Sequence, residues 1–464
     1  MKICHRLFNK TWCHVGMGKF HRAHQVRCLD KLQQLHKTYN DWKIKGVGLH
    51  CADKNVWKNL NNQNFLYTLE EKTNNSSKVH FIKSVDDMIY VPEEYKRIHE
   101  LLNDDLKCIT TTITENGYFL DENKQLRIHG DVQYDIETSF YQRPYTIYGF
   151  LHYILYNRYL MNLPGICIMS CDNMSKNSEL LKNGLNTFIQ YLYFDNKYIK
   201  DNYLKWVQNE NVFPVTMVDR ITPNICNRDY IQKEYRFIDN CNVVSERYFE
   251  WVIEDTFVNS NGKQLDFPPL ELVDGVSLKK DISVHEKMKL RFVNGGHLII
   301  AFQSAMCDLE FVHNGMCYPD INDTLRKYLS SVMSLFTEKE QQEYKIKYYI
   351  QSVEERFENV HLQDTIRRLC MDGGNKIKYV MSGIMEDVRK DIANPGMDYR
   401  SIFLPLKLYF EYLDKGIDKT IKAYDTIGDH ITENNLNIEE RFDYLFGDTN
   451  GNLSKKYKSI YKIK

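Results

Sequence analysis

Short apolar runs alternating with amphipathic stretches fill the first half of this chain and stop near residue 275. That alternation marks βα units, in which neighbouring parallel strands are joined by helices crossing the sheet. Thr11–Val15 reads as the first strand and leads through GMGKF into a helix over HRAHQVRCLDKLQQL. Lys43–Leu49 reads as the second strand, followed by an Asn- and Lys-rich segment and then VHFIKSV. The β-branched run CITTTIT (Cys108–Thr114) and the short GICIMS (Gly165–Ser170) read as further strands, with helical periodicity in TIYGFLHYILYNRYLM between them. Past FPPLELVDGVSL, whose paired prolines and glycine suit a turn or linker, long helical patterns take over. They cover Glu286–Cys307, Asp323–Leu335, Glu338–Glu358, Asp364–Cys370 and Ser401–Asp414 onwards. The expected class is α/β: a Rossmann-type N-terminal domain over 1–274, then a mostly α-helical domain over 275–464.

A length of 464 residues suits two or three domains. Lys and Arg total 61 against 62 Asp and Glu, so there is no global basic field to gather nucleic acid or an anionic membrane. No apolar run approaches the roughly 20 residues of a membrane span. MKICHRLFNK has no signal-peptide hydrophobic region, and the twelve cysteines show no C-x-x-C pairs. The expectation is a cytoplasmic protein with reduced thiols, a disulfide framework being the minority reading. The basic end SKKYKSIYKIK reads as a solvated helix or tail.

Gly16-Met17-Gly18 follows the first strand and opens a helix, the setting in which Gly-x-Gly cradles a pyrophosphate. His21 stands where G-x-G-x-x-G would have its third glycine, so the fragment alone is also compatible with an ordinary tight turn. Asp53, just past the second strand, could accept hydrogen bonds from an adenosine ribose and favour NAD over NADP. Its alternative is an N-cap for the following helix. Gly16, Met17, Gly18, Phe20 and Asp53 are the candidate cofactor-binding residues. His21 and His24 have a spacing open to metal ligands, but no third or fourth ligand cluster accompanies them. They read better as packing and hydrogen-bonding groups, and no metal is expected.

The second constellation is K-x4-N-x2-H in EKMKLRFVNGGHLIIAF: Lys289, Asn294 and His297 interrupt an otherwise apolar segment. Isolated polar groups there cost free energy unless paired or used. On an α-helix, His297 falls about 80° and Asn294 about 140° round from Lys289. The three could then line one side of a cleft, with Gly295 and Gly296 allowing close approach. A Lys able to lose its proton beside an amide and an imidazole can act as base toward an alcohol. Singly, each has a bland reading: a snorkelling Lys, a helix-breaking Asn before Gly-Gly, a satisfied core His.

VGMGKFHRAHQ, TENGY (Thr114–Tyr118), YGFLHYILYNR (Tyr148–Arg158), SCDNMSKN (Ser170–Asn177), FPVTMVDRITP (Phe213–Pro223), KLRFVNGGH and RLCMDGGNKI (Arg368–Ile377) occur in one order along nearly the whole chain. In that set the chain resembles the polyol-specific long-chain dehydrogenases and reductases, the family of mannitol 2-dehydrogenase, fructuronate reductase and arabinitol dehydrogenase. The resemblance implies NAD in the N-terminal domain, a polyol or ketose in an interdomain cleft, and metal-independent chemistry. It implies Lys289 as catalytic base, Asn294 as half of an oxyanion-stabilising pair, and His297 as a substrate-binding residue. The other half is Asn173 or Asn177, with both open at this point. Arg368 and Lys376 match positions that contact substrate hydroxyls, and Asp219 lies in the VDRITP segment. For Arg368 and Asp219 a structural ion pair is an equal reading, and Tyr118 and Asp172 could be structural. The resemblance is compatible with a monomer. Departures include Glu115-Asn116-Gly117-Tyr118 for Glu-Lys-Gly-Tyr and Asn177-Ser178 for Asn-Gly. A uronate reductase, an arabinitol dehydrogenase and a non-catalytic NAD-binding sugar sensor are the alternatives.

Overall fold

Strand β1 (Lys10–Val15) sends Trp12 to one hydrophobic core and Cys13 and Val15 to another, the two-residue alternation of a strand covered on both faces. It is the middle of a five-stranded sheet with β2 (Trp42–Gly48), β5 (Val85–Tyr90), β6 (Leu106–Thr111) and β7 (Cys167–Ser170). The order is β5-β2-β1-β6-β7 and every pairing is parallel. The helix Gln25–Leu35 covers one face through Val26, Leu29 and Leu32. Helices Ile147–Leu160 and Asn177–Tyr191 cover the other through Phe150, Ile154, Leu181 and Phe188. This is the doubly wound arrangement, and the strand order turns round between β1 and β6.

The computed structural model describes residues 10–121, 123–138, 142–390, 396–416 and 425–463; the first nine residues, including Cys4, lie outside them. Two small sheets join the first unit. One is β4-β3-β9, made of β3 (Tyr67–Lys72), β4 (Ser77–Ile82) and β9 (Val243–Glu246). The other is β11-β10-β8, made of β8 (Thr216–Asp219), β10 (Glu250–Glu254) and β11 (Val276–Lys279). VHFIKSV is therefore divided: Val79–Ile82 belong to a small antiparallel pair and Val85 begins a strand of the main sheet.

The chain changes from one compact unit to a second between Ile282 and Ser283. The second unit is helical around Gly295–Ala305, whose buried residues lie on all sides. Helices Pro319–Met333, Ile366–Cys370 and Leu404–Asp414 pack against it. The helical stretch expected over Glu338–Glu358 breaks at Lys345, which takes a left-handed φ of 49° between Glu338–Glu343 and Ile346–Phe357. Every described cysteine is a free thiol. Among the described residues no helix is long and apolar enough to cross a membrane.

Candidate functional site

At the carboxyl end of β1 the chain turns through Gly16 at φ 98°. A Cβ there would sit 2.1 Å from the Thr112 carbonyl oxygen, so the turn admits only glycine. Gly18 is exposed, and a Cβ on it would meet nothing within 4 Å. Met17 points inward: its side chain fills the space over Gly46 of β2, leaving its backbone to shape the loop. Phe20 is half-buried and stacks on His24 at 5.0 Å. The loop lies where β1 and β6 diverge, the crevice in which open α/β sheets bind ligands.

His14 holds this loop from below. Trp12 Nε1 donates to Thr110 Oγ1 at 2.6 Å, and that hydroxyl stands 2.6 Å from His14 Nδ1. His14 Nε2 lies 3.1 Å from the Gly16 carbonyl, which can only accept. The network thus assigns a neutral ring with its proton on Nε2 and a lone pair on Nδ1. His21 stacks on it at 3.2 Å, nearly parallel. Burial pushes both imidazoles down, His14 well below the usual range and His21 to about 3. Two charged rings could not stack so closely away from water. His21 Nδ1 meets Gln25 Oε1 at 3.1 Å, and His24 Nε2 donates to the Glu250 carbonyl at 3.0 Å. Among the described residues no group of three metal-binding side chains stands together. The one cue to His14 in the sequence is a polar residue inside the apolar strand TWCHV.

Asp53 lies just beyond β2 and is half-buried. Its Oδ2 accepts the His50 backbone N–H at 3.1 Å, and it makes no side-chain cap to the helix Lys54–Asn62. Asp53 thus stands at the N-cap position of that helix, while its carboxylate caps the preceding turn instead. Burial raises its pKa.

Past β6, Thr114 takes φ 61°, ψ 167°, a strained conformation for a β-branched residue. Buried Asp172 holds it there. Its carboxylate accepts Ile113 N–H at 3.2 Å, Thr114 N–H at 2.8 Å and the Tyr118 hydroxyl at 2.7 Å. Tyr118 also meets Ser170 Oγ at 2.5 Å. Burial pushes Asp172 up to about 6. Asp172 and Tyr118 are therefore anchors of the loop that follows β6.

The two candidate asparagines differ sharply. Asn177 is fully buried, donating to the Asp172 and Thr216 carbonyls at 3.0 and 2.9 Å and accepting from Ser178 N–H at 2.7 Å. Its carboxamide is committed to the backbone. Asn173 is exposed. Asp219 ends β8 and is buried. Beside it Arg220 donates to Glu71 Oε1 and to the Glu246 carbonyl, each at 2.7 Å.

In the second unit the structure corrects the α-helical geometry expected around Lys289. Ser283–Met288 is α-helical, Lys289–Asn294 is a π-helix, and α-helix resumes at Gly295. In a π-turn hydrogen bonds span five residues instead of four. Lys289 and Asn294, five apart, therefore return to the same side and lose most of the offset that an α-helix would impose. Lys289 is 8% exposed, while Asn294 and His297 are half-buried. His297 packs on Phe357 with ring centres 4.4 Å apart.

Arg368 forms a two-pronged pair with buried Asp364, Nε to Oδ1 at 2.6 Å and Nη2 to Oδ2 at 2.5 Å. Lys376 donates to the Arg368 and Leu369 carbonyls at 3.1 and 3.0 Å. Both cations thus have internal partners. In the first unit Gly16–Gly18, Asp53 and Asn173 follow β1, β2 and β7 of the main sheet and Asp219 ends β8 of a small sheet; in the second, Lys289, Asn294 and His297 share one helical segment.

Comparison with known proteins matches residues 10–266 to the mannitol dehydrogenase Rossmann domain and residues 281–460 to the mannitol dehydrogenase C-terminal domain. Mannitol dehydrogenase 2 of Saccharomyces cerevisiae is 33% identical over 417 residues, covering 89% of this chain and 79% of that protein. Mannitol 2-dehydrogenase of Aspergillus fumigatus is 32% identical over 433 residues, with 89% and 80% covered. Among solved structures, Pseudomonas fluorescens mannitol 2-dehydrogenase, in a ternary complex with NAD and D-mannitol, superposes with a TM-score of 0.78 at 26% identity, covering 98% of this chain and 95% of that one. A substrate-free D-sorbitol dehydrogenase superposes with a TM-score of 0.76 at 24% identity, with 98% and 93% covered, a likeness of fold.

Proposed function

This chain belongs to the mannitol dehydrogenase family, and we propose that it is an NAD-dependent polyol dehydrogenase interconverting a mannitol-like polyol and the matching fructose-like ketose. The observation that carries the reading is the π-turn, which brings a buried Lys and an Asn five residues on to one side of a helix. The nucleotide loop fits NAD: a glycine required by the turn, an open glycine beyond it, and a carboxylate after β2. Gly16, Met17, Gly18 and Phe20 would hold the dinucleotide, with Asp53 on the adenosine ribose. Bound there, NAD supplies the hydride acceptor in oxidation and the donor in reduction.

Lys289 Nζ, as the neutral amine, takes the proton from the reacting hydroxyl; as the ammonium it returns it in ketose reduction. Asn294, with Asn173, donates hydrogen bonds to the developing alkoxide, a preorganised electrostatic role. Asn173 is preferred to Asn177 because the Asn177 carboxamide is buried and donates to the Asp172 and Thr216 carbonyls. His297, seated on Phe357, orients a neighbouring hydroxyl, and Asp219 accepts from another. Arg368 and Lys376 border the substrate as groups already neutralised or hydrogen-bonded. Asp364 neutralises Arg368, which leaves that guanidinium less to offer a uronate carboxylate and favours a neutral polyol. The near-neutral charge balance and free thiols accord with a cytoplasmic enzyme.

The test follows NADH absorbance with mannitol, arabinitol, sorbitol, fructose and fructuronate at neutral and alkaline pH. Polyol oxidation is expected to rise with pH as Lys289 loses its proton. Tight NADH binding with no turnover of any of these compounds would favour the sugar-sensor alternative. Turnover by Lys289→Ala within a few-fold of the parent would remove Lys289 as the base.

A further inference from the structure

We propose that Tyr328 and Gly295 are positioning residues that lock the segment carrying Lys289 and Asn294 into its π-turn. The proposal rests on the reading of Lys289 as the base. A π-turn within an α-helix leaves one carbonyl out of the ladder, and the segment would relax to α unless that oxygen found another donor. Here the Gly295 N–H bonds back to Leu290 O and Phe292 O and passes over Arg291 O, its acceptor in an α-helix. The Arg291 carbonyl instead accepts the Tyr328 hydroxyl at 2.9 Å, from the helix Pro319–Met333. Tyr328 is fully buried, so water offers no substitute donor.

Gly295 supplies the room. Its φ of −63° is ordinary helix, so nothing in the backbone conformation calls for glycine. A Cβ there would lie 2.0 Å from the Tyr328 hydroxyl oxygen and 2.8 Å from Cζ. The phenol tip occupies the place of the missing side chain. Arg291 is held from the other end as well: its guanidinium pairs with Asp387 at 2.5 Å and lies over the Phe336 ring at 5.2 Å. With the side chain clamped, the carbonyl keeps its aim at Tyr328.

Removing the hydroxyl would let Gly295 N–H take Arg291 O and draw the turn back to α. Lys289 would then swing away from Asn294 toward the offset of about 140° that five α-helical residues impose. A displacement of that kind separates the amine from the amide without touching the nucleotide loop.

Tyr328→Phe keeps the ring and loses only the hydroxyl. The expected result is a fall in kcat for mannitol oxidation of roughly 10²-fold, the scale of a misplaced catalytic group, with a displaced basic limb in the pH profile. NADH affinity should stay at the parental value. Gly295→Ala should lose kcat in the same way by pushing on the hydroxyl, and Gly295→Ala with Tyr328→Phe should lose little more than either single variant, because both release the same turn. A simple packing role would give additive losses and an unmoved pH profile. The proposal is overturned if Tyr328→Phe keeps the parental kcat and pH profile while Lys289→Ala abolishes turnover, or if a crystal structure of Tyr328→Phe retains the π-turn. Should Tyr328→Phe fail to fold, Gly295→Ala decides: parental kcat and pH profile there overturn the proposal. Full turnover in Lys289→Ala would instead sink the assignment of the base, a separate outcome.

Discussion

Asp172→Asn separates the cost of a buried charge from the work that charge does. Burial raises the Asp172 carboxyl from 3.8 to about 6. At about 1.4 kcal/mol per pH unit, this corresponds to about 3 kcal/mol between the protonated and ionised forms. The residue is only 7% exposed, so solvent screening takes little from that figure. The sign follows from linkage: a group whose folded pKa is raised contributes stability that is present below its unfolded value and lost as pH rises through the folded one. The parent should therefore lose about 3 kcal/mol relative to the non-titrating Asn variant as pH rises from below about 4 to above about 6. Asp135, also raised to about 6 by burial, is common to both proteins and cancels in the difference. Urea melts of the two proteins across that range give the comparison directly. Activity should move the opposite way. Above its pKa the carboxylate accepts Ile113, Thr114 and Tyr118 together, whereas an Asn offers one carbonyl oxygen to three donors. The variant should gain on the parent in stability at high pH and still fall behind it in turnover. A stability gap that stays constant across the pH range would refute the reasoning.

Two glycines of one loop should respond differently. Gly16→Ala meets both a positive φ and the Thr112 carbonyl, costing roughly 2–5 kcal/mol and NADH binding with it; Gly18→Ala should leave the melting temperature alone and weaken only NADH, as read by fluorescence titration. Asn177→Ala should destabilise the fold by about 2–4 kcal/mol through its lost backbone bonds, whereas Asn173→Ala should keep the parental melt and lose kcat. Asp53→Ala should weaken NAD more than NADP, and an unchanged ratio of the two dissociation constants would take Asp53 out of the ribose site.

Four strands of the main sheet, β1, β2, β6 and β7, were legible because they appear as β-branched or apolar runs at βα spacing; β5 was not, since Asp86 and Asp87 interrupt its apolar run. The two small sheets were not. Their strands β8, β9 and β10 have only four or five residues, and β3 pairs with β9 across more than a hundred intervening positions. No local pattern carries that pairing. The Lys, Asn and His were visible as polar intrusions, but their geometry was misjudged, since apolar spacing looks the same whether one turn is α or π. The deciding residue, Tyr328, lies on another helix. The alternatives Asn173 and Asn177 could not be separated by type; only the hydrogen bonds of Asn177 separate them.

The local arrangement explains why these short motifs run as adjoining pairs. In SCDN, Asp172 is buried to hold the loop after β6 while the next residue, Asn173, is exposed. In VDR, Arg220 is spent on Glu71 and on the carbonyls of Ala23 and Glu246, so that Asp219, one residue back, sits at a fixed strand end. In N-G-G, Gly295 makes room for the tyrosine that holds the turn, and Asn294 precedes it. In the proposed site Asn173 and Asp219 would meet substrate, and the backbone around them must still be anchored. That task falls to a sequence neighbour of each, which shares its peptide unit and so transmits position over a single bond. Exchanging the two members of such a pair should be as damaging as deleting both, although composition and net charge would be unchanged.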